Sequence, residues 1–365
     1  MLNSKHLMFI IAGLTIVSVK TYPAIFTRLA GRDTWLAVAA AMLVILVYIS
    51  YMIWVCRKKN CYSMVRIYRT VLGSSLGNAM IIFFLLSVLL HLVECAAVEP
   101  SAMHENFLLK TPAVVFIVAM MAVGTYIATL GSQAVIATTL IHIAGIATSG
   151  IGLFVLVSTY KNYDYLFPIM VNGITSEFLI AVIKLIGAYG SITIILPFLS
   201  QVCDKENMLK YTIIGTLFVA QNQVVTMIGT ITTFSLPWLN TMFYPKLLQT
   251  QLVSQFDFME AGELFVMYQL VGGWLIKYVL CFFVVMTLLR LIRGRKSYHS
   301  WVIGAVIFIA AQYLASNIFM MFGFLDYFVY ISFVSLIIIP GAIFTIFLFK
   351  DSCAIPKGDI SVSRQ

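Results

Sequence analysis

Ten nearly unbroken apolar stretches follow one another along this chain, each about as long as a bilayer's hydrocarbon core is thick. They lie near residues 6–27, 34–55, 77–98, 112–130, 134–158, 174–200, 211–235, 259–289, 300–320 and 327–349, and only a short stretch around Gly131 to Gln133 separates the fourth from the fifth. Lipid offers backbone N–H and C=O groups no partner, so runs of this length are helices. The expected fold is an all-α integral membrane bundle of about ten transmembrane helices. Residues 1–350 form one polytopic unit, with 351–365 as a short polar tail.

Composition agrees. Hydrophobic residues make up 61% of the chain and charged ones 10%, too little polar surface to clothe a soluble domain. The net charge of +9 need not mean nucleic acid, because the basic residues cluster in particular loops. Arg57, Lys58, Lys59, Arg66 and Arg69 follow the second run, and Arg290, Arg293, Arg295 and Lys296 follow the eighth. With ten spans and both termini cytoplasmic, most of the 23 Lys and Arg fall inside, as the positive-inside rule requires. No basic patch for nucleic acid is left over. Lys20 interrupts the first run, and that run lacks a small-residue cleavage site, so it reads as a span rather than a secretory signal.

The six cysteines show no CxxC spacing and no histidines at metal-ligand spacing, and most fall in spans or on the inner side, where thiols stay reduced. Neither a disulfide framework nor a metal or other cofactor is expected. GxSxG, GxxxxGK[ST] and HExxH are all missing, so the chain does not read as an enzyme.

Ten helices divide into two sets of five, about 6–158 and 174–320, with 327–349 completing the second. Transporters built on inverted repeats interrupt the first helix of each set to make a site near the membrane midplane. The first run carries Lys20 and Pro23. The sixth carries Lys184, the stretch from Gly187 to Ser191, and Pro197. A lysine at that depth either snorkels to the interface along its own stem or lines a polar pocket, where it attracts a carboxylate or stands in for a coupling cation. His91 and Glu94 lie three apart and share a helix face. A carboxylate so deep pairs with a cation such as Lys20 or Lys184, or takes up a proton, and the sequence does not choose between these. Glu260 and Glu263 also share a face, either as solvated carboxylates at a helix start or as ligand contacts. Lys277, deeper in the same run, either reaches the cytoplasmic side or pairs internally, and receives no role. Between Pro237 and Glu260, Leu247, Leu248 and Leu252 recur at helical spacing, so a helix lying at the interface or lining a vestibule is expected near Tyr244 and Lys246.

Several of these stretches resemble one family in both order and spacing. They are Tyr22-Pro23, Gly31-Arg32-Asp33-Thr34-Trp35, Leu109-Lys110-Thr111-Pro112 and Leu196-Pro197, then Glu260-Ala261-Gly262-Glu263, Asp326-Tyr327, Phe333-Val334-Ser335-Leu336 and Pro340. Over nearly its full length the chain resembles the spore germination permeases. These are the B subunits of spore-germinant receptors, within the amino acid/polyamine/organocation transporter superfamily. The resemblance implies a LeuT-like bundle with broken helices 1 and 6 and a pocket lined by helices 1, 3, 6 and 8. On this chain the implied ligand-binding set is Ser18, Lys20, Thr21, Tyr22, His91, Glu94, Gly187, Tyr189, Gly190, Ser191, Tyr244, Lys246, Glu260 and Glu263. It further implies a small-molecule germinant such as an amino acid, receptor A and C subunits as partners, and the inner membrane of the dormant spore as location. The rival expectation is an amino-acid permease working by alternating access, and a third is a structural scaffold, which would leave the intramembrane charges unexplained.

Overall fold

The computed structural model describes residues 2–252, 261–293 and 298–350. The 351–365 tail and Glu260 lie outside these. The main helices are α1 (Ser4–Thr15), α2 (Ser18–Thr21), α3 (Ala24–Ala30), α4 (Thr34–Lys58), α5 (Met64–Asn106), α6 (Ala113–Thr129) and α7 (Ser132–Leu156). After them come α8 (Ser176–Ala188), α9 (Met208–Thr233), α10 (Leu236–Thr241), α11 (Pro245–Gln251), α12 (Ala261–Arg293), α13 (Tyr298–Ala315), α14 (Ile318–Ser332) and α15 (Ile339–Phe349). Among the described residues, eight helical segments are long and apolar enough to cross a membrane, and α6 and α13 are shorter apolar helices at the positions of the fourth and ninth runs. The protein is therefore a multi-pass membrane protein.

The first run is interrupted twice, at Ile16-Val17 and at Tyr22-Pro23. The carbonyls released by the first break find side-chain donors. Ser191 Oγ donates to Leu14 O at 2.9 Å, and Gln223 Nε2 of α9 donates to Ile16 O at 2.7 Å. This is what a broken helix inside a bilayer needs, since a carbonyl left bare there costs several kcal/mol, on the order of a lost hydrogen bond in hydrocarbon.

The sixth run behaves otherwise. The expectation of a break there needs correcting: α8 continues without a gap into a 3₁₀ segment, Tyr189–Gln201, so the helix tightens rather than parts. Its glycines serve packing. A Cβ on Gly187 would stand 1.9 Å from Val329 O of α14, and one on Gly190 would stand 3.3 Å from Ser332 O. Two glycines three apart thus let one backbone lie directly on another, the usual device of helix association in lipid. Directly after that contact α14 widens into a π-helical turn, Phe333–Ile338, before α15 begins.

At 43 residues α5 would span roughly 65 Å if straight, about twice a hydrocarbon core. Gly73, at φ +80°, turns the chain and sets the stretch bearing Arg66 and Arg69 apart from the apolar remainder. L side chains rarely adopt that conformation, which explains the glycine. Cys56, Cys95, Cys203 and Cys281 are free thiols.

Candidate functional site

At the centre of the bundle α12 lies against α1, α5, α6 and α7, and where it passes α2 and α5 a polar cluster is sealed from solvent. Glu94 of α5 is its hub. Its Oε1 accepts from Tyr22 OH at 2.7 Å and from Ser18 Oγ at 3.0 Å. Its Oε2 accepts from Lys277 Nζ at 2.6 Å and meets His91 Nδ1 at 2.9 Å. Lys277 also donates to Ser18 Oγ at 2.7 Å. Glu94, His91 and Lys277 are all fully buried, so the ion pair is offset only by its own hydrogen bonds.

Local sequence explains how these groups meet. Ser18 and Tyr22 stand four apart across α2, and His91 and Glu94 three apart on α5, so each pair shares a face. Trp274 and Lys277 repeat the spacing on α12. The Trp274 indole stacks on Tyr22 with ring centroids 6.4 Å apart and donates Nε1–H to Thr21 Oγ1 at 3.1 Å. On its far side the His91 ring meets Phe328 edge-on at 4.8 Å, and its Nε2 lies 3.4 Å from Ser332 Oγ. Tyr22→Phe would delete a charge-assisted hydrogen bond while keeping the ring stack. A loss of about 2 kcal/mol is expected, read as a lower thermal midpoint of the purified protein.

Four of the sequence-derived candidates, Ser18, Tyr22, His91 and Glu94, therefore come together, with Thr21 adjoining through Trp274. The cation they surround is Lys277, a residue that sequence alone leaves without a role. Lys20 does not reach Glu94: it projects from the opposite side of α2 into a cavity of about 390 Å³ that Lys246 and Lys161 also line. Lys184 pairs with Asp326 instead. Gly187 and Gly190 pack on α14, Ser191 caps the α1 break, and Tyr189 is buried near them. Tyr244 donates to Ser101 Oγ at 3.3 Å and packs on Phe322, away from the cluster. Lys246 donates to Gln249 Oε1 at 2.7 Å. Burial, and then the nearby Lys161 charge, pushes its pKa down to about 8. Glu263 lies in the first turn of α12, and Glu260 falls outside the described residues. Sequence alone does not single out Lys277 and Trp274, because the pairing runs between helices that are far apart in sequence. The one signal available was a tryptophan three residues before a lysine deep inside an apolar run.

No curated protein matches the chain. A family model described as "Spore germination protein" matches residues 1–320, from the broken first helix through the start of α14. With all but the last 45 of its 365 residues matched, this multi-pass membrane protein belongs to the spore germination permease family.

Proposed function

We propose that the chain is the germinant-sensing membrane subunit of a spore nutrient receptor, and that the Glu94–Lys277 pair is the element that recognises the nutrient. The observation carrying this reading is that one carboxylate and one ammonium, fully buried, satisfy each other against a short helix broken at both ends. A zwitterionic amino acid carries the same two charges. Entering between them, its ammonium takes the place of Lys277 on Glu94 and its carboxylate takes the place of Glu94 on Lys277. The exchange keeps every buried charge paired and moves α2, which is bonded to both. The ligand acts only through its different affinity for the closed and parted states. In this reading the ten apolar helices form the 5+5 LeuT-like arrangement in the spore's inner membrane with both termini cytoplasmic. The chain carries no catalytic step, and receptor A and C subunits read the displacement of α2.

Trp274 offers the measurement. The purified protein is titrated with a panel of amino acids while indole emission is followed, with Trp274→Phe as the control for the other four tryptophans. A saturable change with one or a few zwitterions, lost in Trp274→Phe and absent with the decarboxylated amine, is the expected result. No response to any zwitterion removes the exchange. Proteoliposomes separate sensing from the permease alternative: accumulation of the same amino acid inside sealed vesicles would make the protein a carrier.

A further inference from the structure

The cavity beside Lys20 differs in character from the Glu94 cluster and lies elsewhere. It opens between α7 and α9, with α2, α11 and α12 contributing to its walls. Its lining residues Gly150 and Phe154 on α7, with Val157 just past the helix end, fall on one face at helical spacing. Ile151, Phe154 and Val225 line it while remaining 67%, 52% and 42% exposed, so its wall runs on into the apolar outer surface of the bundle. In a membrane protein that surface meets acyl chains.

The polar end is cationic. Lys20, Lys161 and Lys246 all line it, and among the described residues no ion pair engages any of the three. Lys246 has the Gln249 amide oxygen, and the Lys161 ammonium sits 4.0 Å from the Phe154 ring centroid. The amide nitrogen of Gln269, a residue only 8% exposed on the same wall, has no hydrogen-bond partner. Three like charges and an idle donor around an amphipathic opening call for a group that only accepts hydrogen bonds, carries negative charge and trails hydrocarbon.

We propose that this cavity binds the phosphodiester headgroup of an anionic membrane lipid, with Lys20, Lys161, Lys246 and Gln269 facing the phosphate and the acyl chains lying along Ile151, Phe154 and Val225. The site stands whether or not the Glu94–Lys277 pair recognises a nutrient.

The test uses the full-length protein in a neutral detergent, with thermal midpoint as readout and three probes: phosphatidylglycerol, phosphatidylcholine and soluble glycerol phosphate. Phosphatidylglycerol is expected to raise the midpoint saturably, while the other two leave it unchanged at equal concentration. Lys246→Gln and Lys20→Met are each expected to shift the half-saturating lipid concentration about tenfold upward, the loss of one charge-assisted contact, and Lys20→Arg to restore it. Should the helical variants not accumulate, Lys161→Gln, outside the helices, is expected to shift it in the same direction. Equal stabilisation by phosphatidylcholine, or titrations indifferent to all of these lysines, overturns the site. Glycerol phosphate matching phosphatidylglycerol overturns the lipid as the source of the anion.

Discussion

Lys277→Met is expected to destabilise the protein by about 3–5 kcal/mol, because it strands the Glu94 carboxylate, fully buried, with no counter-charge. Tyr22, Ser18 and His91 would still contact the carboxylate, but three polar neighbours do not replace an ammonium at 2.6 Å. The loss should appear as a sharply lower thermal midpoint in detergent and a smaller folded yield. Adding Glu94→Gln to Lys277→Met neutralises the bare charge and keeps an acceptor for Tyr22, so the double variant should be more stable than Lys277→Met alone. That inversion separates an ion pair from simple packing: if the two substitutions merely add, the coupling between these residues is absent. If the pair recognises a nutrient as proposed, spores carrying Lys277→Met should lose the response to it, and the double variant should recover stability without recovering the response.

Gly187→Ala should be almost as damaging. The new methyl would sit 1.9 Å from the Val329 carbonyl oxygen, and 3.2 Å from Phe333 Cβ just beyond it. Backbone cannot rotate out of the way as a side chain can, so α8 and α14 must separate along their contact, at a cost of about 3 kcal/mol. Gly323→Ala on α14 is the matched control, because nothing lies within 4 Å of its added Cβ. There alanine's better helix propensity should leave stability unchanged or raise it by up to about 1 kcal/mol. Equal midpoints for Gly187→Ala and Gly323→Ala would contradict the close approach of α8 and α14.

Much of this architecture is legible in the order of residues. Apolar run length gives the succession of helices, because lipid admits no other way to hide a backbone. Lys20 and Pro23 locate the interrupted first helix, since both are costly in an unbroken span. The spacing of His91 and Glu94 places them on one face, and the structure adds that they are in hydrogen-bond contact there. What the sequence withholds is which helix stands opposite another. Glu94 meets Lys277 across 183 residues, and nothing local prefers Lys277 over Lys20 or Lys184. The glycines of the sixth run suggest a break because glycine permits one, yet the same lack of a Cβ also permits close contact. Only the position of α14 decides between these uses.

The seam at Ile16-Val17 has a mechanical consequence. On one side of it, the carbonyls at the end of α1 are tied to Ser191 and Gln223. On the other, the polar side chains of α2 are tied to α5 and α12. The chain therefore has a joint whose two arms are hydrogen-bonded to different partners, so a shift of α2 relative to the end of α1 bends two residues and need not tear a helical ladder.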